Sequence, residues 1–130
     1  MDSNEVVSVF QNDSLGSDDA VGIADKIKKG ELSASLVTQD AIERAKAVNP
    51  KLNAITVENF DLAQTNSEKP FSGFFQGVPT FIKDTDEVPG LPLYLGSRSL
   101  PGDPSDKYSK AAKQIIDTGC LLYTSDAADE

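Results

Sequence analysis

The sequence predicts an α/β fold that begins with two consecutive helices and continues into short strands. Apolar residues recur at spacings of three and four along residues 20–27 and 36–48, which is the pattern of amphipathic helices. A run rich in β-branched residues follows at 54–57 and favours a strand. An apolar run at 77–84 begins with glycine and ends in a lysine and an aspartate, which indicates a buried strand.

Capping signals set the predicted ends of the first two helices. The first is predicted to run from a cap at Ser17 to a left-handed stop at Gly30. The second is predicted to start at Ser33 and to end at Asn49, because the residue before a proline avoids helical backbone. Their short connection favours an α-helical hairpin.

Shorter elements are predicted in the middle of the chain. A strand is expected at 54–57, one helical turn at 61–64 and a polar loop at 65–72. The second apolar run is predicted to be a buried strand that ends at Lys83 or Asp84.

A loop and a last helix complete the predicted elements. Residues 90–105 are rich in proline and glycine and are expected to lack regular structure. The helix is predicted to be capped by Ser105 or Asp106, to run through Thr118 and to stop at Gly119.

The composition excludes several classes of function. The 12 basic and 21 acidic residues give a formal net charge of -9, and an acidic surface repels nucleic acids, so no nucleic-acid partner is expected. With no histidine, Ser-His-Asp and Cys-His catalysis and most zinc sites are excluded. No stretch approaches the roughly 18 apolar residues of a membrane span. The acidic N-terminus shows no export signal, and one cysteine is weakly consistent with a reducing compartment, so we expect a cytoplasmic protein.

Lys83 is the candidate for chemistry, and the residues alone leave two interpretations open. Burial at the end of an apolar strand would disfavour the charged amine, and a neutral lysine is a usable general base where histidine is absent. Alternatively, the lysine reaches water or pairs with Asp84, Asp86 or Glu87. The spacing alone favours this second interpretation.

Four stretches together resemble the amidase signature family, the serine hydrolases that use a Ser–cis-Ser–Lys triad. The resemblance covers residues from about Ala20 to Gly119, and each stretch is weak alone but specific in this order and spacing. The stretches are IKKGELSA at 27–34, AIERA at 41–45 with NPKLNA at 49–54, GVP at 77–79 with IKD at 82–84, and GLP at 90–92 with GSRSL at 96–100.

The resemblance implies a fold, a reaction and one catalytic residue. The fold would be the N-terminal portion of the amidase signature fold, a mixed β-sheet core flanked by helices. Lys83 matches the family lysine, the ultimate base in hydrolysis of a small-molecule amide, with no cofactor and no metal. Neither family serine has a match in this chain, so the chain itself is expected to be inactive. Thr85 stands where the family tends to have asparagine, which leaves the flanking loop in question.

The predicted organisation is an N-terminal tail at 1–16, the N-terminal part of an amidase domain at 17–119, and a non-native tail at 120–130. The last eleven residues match, position by position, the translation of a transposase-type sequencing-library adapter. The alternative is a native strand followed by an acidic tail. The family would continue past Gly119 into another buried strand and then a serine-rich loop.

Two other functions stay open at this stage. One is that of the related amidotransferase, whose family member releases ammonia from glutamine for charging transfer RNA. The loop at 96–98 looks more like that of general amidases, so this function ranks second. The other is a non-catalytic α/β interaction module, which needs only the helical hairpin and the acidic surface.

Overall fold

This computed structural model describes residues 6–126, which contain four helices and three strands. Helices and strands alternate after the first two helices, as an α/β fold requires. In chain order the elements are α1 Ala20–Lys28, α2 Ala34–Leu52, β1 Ile55–Glu58, α3 Phe60–Ser67, β2 Pro79–Lys83, α4 Lys110–Asp117 and β3 Leu121–Asp126.

The three strands form a mixed sheet with the order β1-β3-β2. β3 pairs antiparallel with β1 and parallel with β2. In the parallel pair Pro79 lies opposite Leu121 and Lys83 lies opposite Asp126, with one irregularity after Thr80. The carboxyl ends of β2 and β3 therefore meet at one edge of the sheet, and Lys83 lies at that edge.

The predicted start of α1 is wrong, whereas its predicted stop is confirmed. α1 is capped by Asp19, whose side chain accepts a hydrogen bond from the amide of Gly22 at 2.8 Å, rather than by Ser17. Ser17 lies in a turn, which the bond from the Asp18 amide to the Leu15 carbonyl closes. The left-handed stop after α1 has φ +72° at residue 30.

Helix α2 begins where predicted but runs past its predicted end. Ser33 accepts from the amide of Leu36 at 3.1 Å, as expected of a cap. The helix continues through Pro50 to Leu52, so the predicted stop at Asn49 is wrong. The proline lies in the last turn, where a lost hydrogen bond matters least, and the Asn49 side chain accepts from the amide of Ile55 at 3.0 Å, which fixes the exit from the helix.

Two later elements differ from the prediction. The single turn expected at 61–64 is the eight-residue helix α3, which extends into the predicted polar loop. α4 is capped by Ser109, 3.1 Å from the amide of Ala112, and not by Ser105 or Asp106. Ser105 is instead engaged within the preceding loop, where its hydroxyl oxygen accepts from the amide of Lys107 at 3.3 Å.

The stop after α4 and the positions of both predicted strands are confirmed, but the prediction that the second strand is buried is wrong, because only Ile82 in β2 is buried and 41% of Phe81 is exposed. Gly119 has φ +92°, and its amide donates to the carbonyl of Ile116 at 2.9 Å. The run at 54–57 forms β1, and the run at 77–84 forms β2.

Helices cover both faces of the sheet. Leu121 packs against α2 and α3, whereas Leu122 and Ile82 pack against α4. Side chains alternate between faces along a strand, so two neighbouring leucines serve both layers. The buried clusters are Ala41, Ile42, Ala45, Ala63 and Leu121; Ile23, Ala24, Val37 and Val78; and Ile82, Val88, Ala112 and Leu122.

The end of the predicted N-terminal tail is held against α2 by charge. The guanidinium of Arg44 donates to both carboxylate oxygens of Asp13, at 2.6 and 2.5 Å, and to the carbonyl of Gly16 at 2.8 Å. Only 11% of the Asp13 side chain is exposed. Leu15 lies in the chain between Asp13 and Gly16, the two residues that Arg44 binds, and packs against two of the three buried clusters. Residues 13–16 thus form a clasp on the core.

Breaking this clasp should have a cost that depends on pH. Asp13→Asn is expected to lower the free energy of unfolding at pH 7 by about 1 to 2 kcal/mol. The hydrogen bond from Arg44 holds the pKa of Asp13 below its ordinary value of 3.8. The contribution is therefore complete above that ordinary value and is lost as the pH falls through the lower folded-state value. Urea unfolding at pH 7 and near pH 2, followed by circular dichroism, measures both effects.

Asp25→Asn is the matched control. Asp25 pairs with Lys29 at the surface, with 55% of its side chain exposed, so the same substitution should change stability far less. Equal losses in the two variants would contradict a special role for the clasp.

Candidate active site

Lys83 ends β2 and is half-buried. Alternation along the strand places it on the same face as Pro79 and Phe81, which line a groove of about 420 Å³ against α2. Ile82 points the other way, into the cluster with α4. The carboxyl end of parallel strands is where α/β folds commonly place functional side chains. The amine of Lys83 thus leaves the sheet edge on the α2 face.

Asp84 follows directly and is buried, with 1% of its surface exposed. Its two carboxylate oxygens accept hydrogen bonds from two backbone amides of the following loop, that of Tyr94 at 2.9 Å and that of Gly96 at 3.1 Å. A buried carboxylate needs such donors to offset its lost hydration. This aspartate therefore ties the loop to the end of β2.

Asp86 and Glu87 are also engaged by groups other than Lys83. Asp86 accepts from the hydroxyl of Ser109 at 2.6 Å, and Ser109 is the cap of α4. Glu87 accepts from the hydroxyl of Ser105 at 3.3 Å and pairs with Lys107 at 3.7 Å. The acids after Lys83, predicted as its alternative partners, thus connect the end of β2 to the loop and to α4.

The loop between β2 and α4 is irregular, as predicted, and is closed at its base. Pro89 and Ser105 form a bridge, and the amide of Gly90 donates to the Ser105 carbonyl at 2.9 Å. At its far side Gly102 has φ +68° and lies so close to the ring of Tyr94 that an added Cβ would be 2.2 Å from a ring carbon. This tyrosine also gives its amide to Asp84, so one residue is fixed from both sides.

The serines of the loop and of the α4 cap make contacts that are ordinary for such positions. The hydroxyl of Ser97 accepts from the amide of Ser99 at 3.2 Å. Ser105 bonds within the loop, and Ser109 caps α4. These contacts give no reason to assign either family serine to one of them.

Metal-ligating side chains do not cluster in the part of the chain that the structure describes. Within it, no group of three or more histidine, cysteine, aspartate or glutamate side chains could hold a metal ion. No helix among residues 6–126 has the length and apolar character needed to cross a bilayer.

A family model described as Amidase matches residues 36–130, a span that contains Lys83 and the whole sheet. The chain belongs to the amidase family. Among curated proteins it is 48% identical over 91 residues to AmiC of Mycobacterium leprae, which carries an amidase name, covering 70% of this chain and 19% of that protein. It is 30% identical over 113 residues to a glutamyl-tRNA(Gln) amidotransferase chain of Nostoc punctiforme, covering 81% and 23%.

The solved structures show the same architecture. The substrate complex of 6-aminohexanoate cyclic dimer hydrolase superposes with a TM-score of 0.74 at 27% identity, covering 92% of this chain and 24% of that one. The predicted fold class, an α/β portion of the amidase signature fold, is confirmed. The chain spans between 14% and 25% of the length of the curated relatives named as AmiC, cyclic dimer hydrolase and glutamyl-tRNA(Gln) amidotransferase.

The family match also spans the segment that resembles an adapter. Residues 121–126 form β3, the position at which the resemblance expects another buried strand. The origin of residues 120–130 therefore matters for the strand that lies beside Lys83.

The close contact between Gly102 and the Tyr94 ring predicts that a larger residue at position 102 destabilises the loop. Gly102→Ala should lower the free energy of unfolding by more than the about 1 kcal/mol expected for alanine at a left-handed position, because the Tyr94 ring must also move. Trypsin cleavage after Arg98 should become faster for the same reason.

Gly90→Ala is the control. Gly90 has φ +81° but open space around the position of a Cβ, so this variant has the backbone strain without the collision. Equal cleavage rates and equal stability losses in the two variants would show that the contact with Tyr94 does not hold the loop.

Proposed function

We propose that Lys83 is the ultimate base of a Ser–cis-Ser–Lys triad in an amide hydrolase to which this chain contributes the N-terminal part. The observation that supports this most is the place of the lysine: half-buried, at the carboxyl edge of a parallel strand pair, inside the span that matches the family. A small-molecule amide, met in the cytoplasm, is the proposed substrate.

The proposed reaction uses the lysine as a neutral amine. It accepts a proton from the bridging serine, which in turn takes the proton of the nucleophilic serine. The nucleophile forms a bond to the amide carbonyl carbon, the carbon–nitrogen bond breaks, and the amine leaves with a proton. Water then attacks the acyl ester, which releases the acid and restores the serine. This is covalent catalysis in which lysine replaces histidine as the base.

The acids that follow Lys83 hold the structure around it. Asp84, Asp86 and Glu87 each bind backbone amides, hydroxyls or another lysine, as described above. These bonds tie the end of β2 to the loop and to α4, and so fix the backbone from which Lys83 projects.

Removing the amine tests the proposal in the complete enzyme. Lys83→Ala is expected to lower kcat by about 10²- to 10⁴-fold, the usual contribution of a positioned base, with little change in the melting temperature. Release of aniline from an aryl amide measures the rate. Lys110→Ala, at an exposed position at the start of α4, is the matched control and should keep full activity. Unchanged turnover in the Lys83 variant would refute the proposed role.

The 130-residue chain itself is expected to hydrolyse no aryl amide, because neither serine has a match within it. The assay is the same release of aniline, with purified polypeptide at high concentration. Hydrolysis that is measurable and that disappears in Lys83→Ala would contradict this expectation, and would mean that a serine of this chain acts as the nucleophile.

The genomic reading frame separates the proposal from its alternatives. We propose that residues 120–130 are adapter-derived, so reads that cross Gly119 should diverge there and continue into a glycine- and serine-rich segment. A continuous genomic match through Glu130 followed by a stop codon would favour the non-catalytic α/β module. A gene for a glutamyl-transfer-RNA partner beside the frame would favour the amidotransferase. Of the two enzymes, the amidase is favoured by the higher identity, 48% against 30%.

A further inference from the structure

We infer that Asp84 is a positioning residue for Lys83: by holding the backbone of the following loop, it fixes the end of β2 from which the lysine projects. The inference rests on the proposed function, since it assigns Asp84 a task within the same site. It differs from the interpretation in which the lysine pairs with Asp84, Asp86 or Glu87.

The two neighbours lie in different settings. Lys83 ends β2 on the face of Phe81, which borders α2, whereas Asp84 lies in the turn that follows the strand. Asp84 is buried and both of its oxygens are occupied by amide donors. It therefore acts on the lysine through the backbone of that turn.

A carboxylate suits this anchor because it offers two acceptors side by side. The amides that it binds flank Leu95, and the turn is tight: Leu95 has φ +50° and Gly96 has φ +69°. A leucine in the left-handed region is strained, so the turn needs an external hold. Asparagine at position 84 would offer one acceptor and one donor, and the donor would face an amide N–H.

A second set of hydrogen bonds also holds the end of β2. The amide of Asp86 donates to the carbonyl of Lys83 at 3.0 Å, and the carboxylate of Asp86 binds the cap of α4. With Asp84 fixed to the loop and Asp86 fixed to the helix, the backbone around Lys83 has little freedom. A lysine side chain is long, so a small rotation of the backbone at its base moves the amine further than it moves the Cα atom. Displacement of a catalytic group by about 1 Å can cost 10²-fold in rate.

Amide exchange in the complete enzyme tests the anchor without any reference to catalysis. In Asp84→Ala the amides of Tyr94 and Gly96 should both exchange at least about tenfold faster, since each loses its acceptor. In Asp84→Asn one of the two should accelerate while the other keeps its protection. Asp103→Asn, an exposed carboxylate of the same loop, should change neither. Unchanged exchange of both amides in Asp84→Ala would overturn the inference.

Turnover in the complete enzyme tests the consequence for the lysine. Asp84→Ala should lower kcat by about 10- to 100-fold with KM within twofold, and Asp84→Asn should fall between this variant and the wild type. A purely structural role would instead lower the melting temperature and the amount of folded enzyme while leaving kcat per folded molecule unchanged. That result would overturn the inference, and the conservative variant keeps the test valid if Asp84→Ala does not fold.

Lys83→Ala in the same series separates the two proposals. If Lys83→Ala abolishes turnover and Asp84→Ala does not change kcat, the positioning role is wrong and the proposed base stands. If Lys83→Ala keeps full turnover, the proposed base is wrong and the positioning role falls with it. Loss of kcat in both, with KM preserved, supports both.

Discussion

Within residues 6–126 all pairing between strands passes through β3, which lies between β1 and β2. Its first residues also complete two buried clusters, Leu121 on the side of α2 and Leu122 on the side of α4. The central position of a sheet covered on both faces demands apolar side chains on both sides, and it demands little else. A short segment with two adjacent leucines meets this demand whatever its origin. The apolar pattern of the segment is therefore enough to explain its place in the sheet.

The electrostatics of the chain follow from how its carboxylates are used. The sequence has a large excess of acids, and an excess of like charge opposes compaction. Several of these acids nevertheless stabilise the fold by accepting from backbone amides that would otherwise lack a partner. Asp19 caps α1, Asp40 binds the amide of Ser14 at 2.9 Å, and Asp84 binds two loop amides. Acidic residues here replace the backbone acceptors that short helices and a long loop cannot supply.

Local signals in the sequence predicted what local physics determines. The cap at Ser33, the left-handed glycines after α1 and α4, and the two strands depend on a few neighbouring residues, and these were predictable. The end of α2 was not predictable. The residue before a proline disfavours helical backbone, but the side chain of Asn49 accepts a hydrogen bond from the amide of Ile55, beyond the helix, and this bond compensates. Such compensation by a later residue is not visible in propensities. The same holds for the candidate site. The lysine at the strand end could be identified from its apolar neighbours and from the surrounding motifs. The role of Asp84 could not be predicted, because its partners lie ten and twelve residues further along the chain.

The clasp at residues 13–16 bears on where this unit begins. A boundary drawn at residue 17, where the first helical signal starts, would separate Leu15 from two buried clusters and Asp13 from Arg44. The segment looks like a tail in composition, yet it closes the seam between the first two clusters. In evolutionary terms, insertions or fusions should be tolerated before the clasp far better than between the clasp and α1. The clasp, and not the start of α1, is therefore the N-terminal boundary of the folded unit.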